Sequence, residues 1–214
     1  MNSQLILVKH SLPALEPDKP ANQWRLSKEG QQRCEVLARH LSPYLPFQLF
    51  SSIEPKAAQT AALASSLLGI PWQEFPGLHE HERSEAGFYS PEQFQANMQC
   101  FFNHPSEVVF GAESAEQALA RFSKAIQVLW EKRPPCTGSL VVVAHGTVIS
   151  LFVAHFCGLL AYHLWVQLGL PAFVVLDLPI ELHQHSDKRN PVHIFNPYHP
   201  GAPVQFLAGR RSPV

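Results

Sequence analysis

From residue 134 through residue 176 the chain carries no Asp, Glu, Lys or Arg. So long a neutral stretch must leave water, either for a bilayer or for a protein core. A spanning helix needs about 20 continuous apolar residues. This stretch is broken by His145-Gly146, Ser150, His155, Gly158, His163 and Gln167. It also changes character along its length: residues 140–144, LVVVA, are β-branched and strand-like, whereas residues 147–158 have the pattern of a helix. A strand buried on both faces, followed by a core helix, accounts for the missing charge and points to an α/β protein rather than a membrane span.

The remainder alternates in the same way. Residues 4–8 form a candidate strand that ends at Lys9-His10-Ser11, followed by a loop with Pro13, Pro17 and Pro20 that can neither continue a helix nor pair centrally in a sheet. Ser27 is placed to cap a helix over residues 28–41. Residues 47–51 form a second strand and residues 56–68 an Ala- and Leu-rich helix, stopped by Gly69 and Pro71. A long amphipathic helix spans residues 113–130, and a further strand spans residues 173–178. Strands alternating with helices predict one α/β domain over residues 1–214 with a largely parallel sheet. Residues 76–111 are expected to be an irregular insertion or lid, and residues 179–214 a coil extension.

With 214 residues, 46% of them hydrophobic, one domain can bury a real core. A net charge of -1 and a pI near 6.9 supply no field for nucleic acid or an anionic membrane, so any anion site must be local. Cys34, Cys100, Cys136 and Cys157 form no CxxC pair, which fits thiols in a reducing compartment better than a disulfide framework or zinc site. The N-terminus lacks a signal-peptide pattern, so a cytoplasmic location is expected.

Two strands end in the same kind of residue, LILVK at His10 and LVVVA at His145. Ligands of open α/β sheets bind beyond the carboxyl ends of strands. Lys9 precedes the first histidine and Gly146 follows the second, where it permits close backbone approach. Between them SSIEPKAAQTA leads from a strand end into a helix start, with Lys56 early in the helix. Two imidazoles and two ammonium groups can therefore converge on a tetrahedral dianion.

These segments carry a family resemblance. LVKHSLP resembles the opening motif of the histidine phosphatase superfamily, the phosphoglycerate mutase-like proteins, usually Leu-Val-Arg-His-Gly, and places His10 as nucleophile. RLSKEG resembles the Leu-Ser-Gly helix start that follows. SSIEPKAAQTA resembles Ser-Ser-x-x-x-Arg-Ala-x-Gln-Thr-Ala, GLHEHER the segment carrying the general acid, GAESAEQALARF the Gly-Glu-Ser segment, and VVVAHGTVISL the second His-Gly motif. Six blocks follow family order from Leu5 to about Leu178. Lys9 and Lys56 stand where the family carries arginine, and Ser11 where it carries glycine. Lysine keeps the charge but loses the planar bidentate fork.

The resemblance implies a three-layer α/β/α sandwich and a metal-free, cofactor-free phosphatase acting on a small phosphorylated metabolite. His10 would form a phosphohistidine. Lys9, Ser11, Lys56 and His145 would hold the phosphoryl group, and Glu80 would protonate the leaving alcohol. Glu82 and Glu85 are the alternatives to Glu80. Two other outcomes are a mutase and a phosphate-ligand binder with weakened catalysis. Glu113, Ser114 and Arg121 are assigned to structure. The pairs His79-x-His81 and His183-x-His185 lack the partners of a zinc motif. Phe88, Tyr89, Phe94, Phe101 and Phe102 either wall an apolar leaving group or form the inward strip of a lid helix.

Overall fold

The LVVVA run forms strand β4 (Leu140–Ala144), and all five of its residues are buried. In the computed structural model, residues 4–83, 89–134, 138–177, 192–198 and 205–206 are described. β4 lies between β1 (Gln4–Lys9) and β2 (Gln48–Ser51), parallel to both, and β3 (Trp72–Glu74) extends the parallel block beyond β2. On the other side of β1, β5 (Ala172–Asp177) runs antiparallel, followed by β6 (Val192–Phe195) and β7 (Gln205–Phe206), each antiparallel to its neighbour. The described strands form one mixed sheet in the order β3-β2-β4-β1-β5-β6-β7.

Because side chains alternate along a strand, the sheet faces two cores. Ile6, Val8, Leu49, Val141 and Val143 pack under α1 (Lys28–Leu41) and α2 (Pro55–Leu68). The alternate residues Leu5, Leu7, Val142 and Ala144 pack under α4 (Ala115–Lys132) and α5 (Gly146–Cys157). This is the expected α/β sandwich with helices on both faces. Local chemistry fixes the helix starts. Ser27 accepts a hydrogen bond from the Gly30 N–H at the start of α1, and Ser114 and Gln117 form a reciprocal cap on α4. α2 stops at Gly69, which takes the left-handed conformation at φ 67°.

Two expectations need correction. Residues 91–103 are not irregular: they form α3 (Pro91–Asn103), capped by Ser90 and Gln93. Its aromatic residues resolve as core. Phe101 is fully buried, while Phe94 and Phe102 pack against Trp165 of α6 (Ala161–Gln167). Tyr89 packs edge-on to Phe110, and Phe88 lies outside the described residues. The chain beyond residue 179, expected as coil, contributes β6 and β7 to the sheet. No helix among the described residues is long and apolar enough to cross a membrane.

Candidate active site

The register of three parallel strands brings the candidate residues to one edge. Lys9 of β1 is level with Ala144 of β4, and Ser51 of β2 with Val143. The residues that follow, His10, His145 and the 52–56 turn, therefore leave the sheet side by side. The backbone ties them: His10 N–H donates to Ala144 O at 3.0 Å, and Ser52 N–H to Val143 O at 2.9 Å. Above this edge lies a cleft of about 610 Å³, lined by His10, Lys56 and Glu80 at its base and by Trp24, Ile53 and Arg83 among others at its sides.

His10 Nδ1 lies 2.8 Å from the Ser11 carbonyl oxygen. A carbonyl only accepts, so Nδ1 carries the proton and Nε2 keeps its lone pair. Burial above all, then the charges around His145 and Lys56, hold the His10 pKa well below its ordinary value, so the ring is neutral. His145 is fully buried beside it, with ring centroids 5.2 Å apart, and among the described residues neither of its nitrogens has a hydrogen-bond partner. Burial, then Lys56, keep His145 neutral as well.

Glu80 sits over the start of α5. Its carboxylate accepts from Thr147 N–H at 3.2 Å and from His81 N–H at 2.9 Å. The positive end of a helix favours such a charge. Burial acts to raise the Glu80 pKa, but the Arg83 charge, His145 and these two amides outweigh it and hold the group far below the usual carboxylate range. Glu82 also lines the cleft, but half its side chain is exposed and its carboxylate pairs with His79 at 3.0 Å. Glu85 lies outside the described residues.

Lys56 is buried and points into the cleft base, donating to Ala21 O and to Glu54 Oε2, both at 2.6 Å. Lys9 takes another route. It is not among the residues that line the cleft, and its Nζ donates to Leu168 O at 2.6 Å. Burial lowers its pKa to about 8, against the raising influence of Glu80. Its arm passes so close to Gly146 that a β-carbon there would meet Lys9 Cε at 3.1 Å, which explains the glycine. Ser11 is not brought into the cleft. Its hydroxyl donates to Gly30 O and its N–H to Thr60 Oγ1, fastening the loop after β1 to α1 and α2.

Two charged cleft residues escaped the sequence reasoning, Glu54 and Arg83. Glu54 is buried, accepts from Lys56 and from Glu80 N–H, and lies 3.5 Å from His145 Nε2. The available signal was a carboxylate two residues before Lys56 at a helix start. Arg121 and Glu113 hold the expected structural place. Arg121 donates to the carbonyls of Gly77, His79 and Glu80 and to the Glu113 carboxylate, which also accepts from Glu82 N–H. Together they fix the segment that presents Glu80. No group of three or more metal-ligating side chains occurs among the described residues, and His183 and His185 lie outside them.

The sequence profile of the histidine phosphatase superfamily (branch 1) matches residues 5–178. Among solved structures, the chain is similar to a mycobacterial glucosyl-3-phosphoglycerate phosphatase, with TM-score 0.72 and 18% identity over 91% of this chain and 98% of that one. It is also similar to a putative alpha-ribazole-5'-P phosphatase from Escherichia coli, with TM-score 0.65 and 19% identity over 91% of this chain and 96% of that one. None of the curated proteins matches the chain in sequence.

Proposed function

The chain belongs to the histidine phosphatase superfamily, and we propose that it hydrolyses a small phosphomonoester through a phosphohistidine at His10. One observation carries this reading. In the cleft a neutral imidazole, oriented through its Nδ1 proton to Ser11 O, keeps the Nε2 lone pair, and Lys56 and Glu80 line the same space. Both solved relatives named above are titled phosphatases, which supports the same reaction class.

In the first step Nε2 attacks phosphorus, an N–P bond forms, and the ester P–O bond breaks. Phosphoryl transfer asks the protein mainly for positioning and charge balance. Lys56 and Lys9, the lysines of the two motifs, supply the positive charge, and His145 supplies a neutral donor. Glu80 gives a proton to the leaving oxygen. It is ionised in the free protein, and the negative charge of an arriving phosphoester opposes Arg83 and moves it back towards protonation. In the second step water attacks phosphorus, the N–P bond breaks, and Glu80 takes the proton from the water. Ser11 contributes by anchoring the loop that orients His10.

Rapid quench with a labelled phosphoester tests the reading. Acid-labile label mapped to His10 is expected, together with loss of turnover in His10→Ala. Undiminished turnover by that variant would overturn the proposal, and label on His145 would reverse the two histidines.

A further inference from the structure

In the proposed chemistry the one guanidinium that lines the cleft among the described residues, that of Arg83, acts only through its charge on Glu80. Arg83 lines the same space as His10, Lys56 and Glu80. Among the described residues its buried Nη1 has no hydrogen-bond partner. The Glu80 carboxylate lies 3.8 Å from Nη2, beyond hydrogen-bond range. On its other side the group rests over the Phe94 ring of α3, 5.1 Å from the ring centre, which supports the arm. Arg121 makes the contrast: its fork is saturated by three carbonyls and a carboxylate. A guanidinium offers five donors in a fixed plane, a geometry matched to carboxylate and phosphate. Arg83 is fixed in position with that capacity unspent.

Its place relative to the reaction is also defined. The lysines whose charge reaches His10 are Lys56 and Lys9, whereas the charge of Arg83 falls on Glu80, His145 and His81. Arg83 Nη2 lies 3.8 Å from the Glu80 carboxylate, so Arg83 stands beside the proton donor, where the leaving group departs.

We propose that Arg83 binds an acidic group on the leaving portion of the substrate. The preferred substrates are then phosphorylated acids or bisphosphates rather than phosphate esters of neutral alcohols. This rests on the phosphatase reading of the same cleft. The open Nη1 donor, the aromatic support from Phe94 and the 3.8 Å approach to Glu80 are each geometric.

Three esters on one three-carbon skeleton test it: a phosphorylated hydroxy acid, a bisphosphate and a phosphorylated triol. The wild-type protein should favour at least one acidic ester over the triol ester by about tenfold or more in kcat/KM, the worth of a charge-assisted pair. Which acidic ester leads distinguishes a carboxylate from a second phosphate. Arg83→Gln should shrink that preference to less than about threefold, chiefly through KM, with Arg83→Lys between the two. No preference in the wild type, or equal losses on all three esters, would overturn the proposal. Should Arg83→Gln fail to fold, Arg83→Lys carries the same comparison. If the wild type hydrolyses none of the esters, the phosphatase reading falls. Arg83 is then tested by calorimetry with the same intact esters: a tenfold weaker acidic ester in Arg83→Gln supports the assignment, and equal affinity overturns it.

Discussion

A carboxylate at the base of an anion site works against its ligand unless it holds something else in place. Glu54 holds a good deal: Lys56 by one oxygen, the Glu80 backbone by the other, with His145 3.5 Å away. Its charge also offsets that of Lys56, so the cleft base is less positive than its lysines suggest. Glu54→Gln keeps the shape and an acceptor oxygen while removing the negative charge. Phosphate or vanadate should then bind roughly three- to tenfold more tightly, and Lys56→Ala should weaken binding by roughly tenfold or more. Calorimetry at fixed ionic strength measures both. Weaker binding in Glu54→Gln would mean that its positioning of Glu80 and Lys56 outweighs its charge. At this scale the sequence was only partly legible. His10, His145 and Lys56 stand at strand ends and a helix start, where local pattern exposes them. Arg83 lies in a segment without periodicity, and its place in the cleft depends on a helix that packs from elsewhere in the chain.

Among the elements, the segment that carries Glu80 is the least self-sufficient. Residues 77–82 have no regular structure, and their carbonyls are satisfied by a side chain, Arg121 of α4. Arg121→Ala would free those carbonyls and leave the buried Glu113 carboxylate without its cation. Breaking such a pair costs about 3 kcal/mol, which lowers the melting temperature of a chain this size by roughly 6–12 °C. Activity should fall beyond what the lost stability explains, because Glu80 is no longer held over α5, and Arg121→Lys should restore little because one ammonium cannot span the acceptors. A melting temperature within about 1 °C of wild type would show that Glu113 and the loop find other partners. The strands β1, β2, β4 and β5 and the helices α1, α2, α4 and α5 could be read from the sequence because their periodicity, caps and glycine stops are local. β6 and β7 could not, because a short strand such as VHIF is defined by the ladder it joins, here β5, rather than by its own pattern. The aromatic residues of α3 fit a pocket wall and a core strip equally well as sequence, and only their packing on α6 and Phe110 decides between them.

Across the whole molecule, burying neutral histidines ties stability to pH. Burial above all lowers the pKa values of His10, His145 and His81 below the ordinary imidazole value. In the unfolded chain each takes up a proton as pH falls through about 6.5, while the folded protein refuses it, so stability drops with acidification. Each withheld proton is worth up to about 1.4 kcal/mol per pH unit, so His10 and His145, both held well below the ordinary value, together approach about 3 kcal/mol per unit below pH 6.5, and His81 adds to the slope only over the span of its own shift. Glu80 acts with the same sign at lower pH. Its depressed pKa stabilises the fold above about 4.5, and that contribution is lost as pH falls further. On the alkaline side the signs divide. Lys9, lowered to about 8, releases its proton in the fold before the unfolded chain does, which favours folding as pH rises from 8 towards 10.5. Cys34 and Cys157, raised to about 11 by burial, keep protons that the unfolded chain loses from pH 9, which opposes folding. Two thiols against one amine place the stability maximum between about pH 8 and 9. Urea midpoints at half-unit steps should therefore fall clearly between pH 7 and 5, before most carboxylates titrate. His81 lies outside the proposed chemistry, and His81→Gln should remove up to about one proton's share of that slope. A midpoint that stays flat from pH 7 to 5 would mean that the folded protein accepts these protons, and the neutral His10 on which the nucleophile rests would go with it.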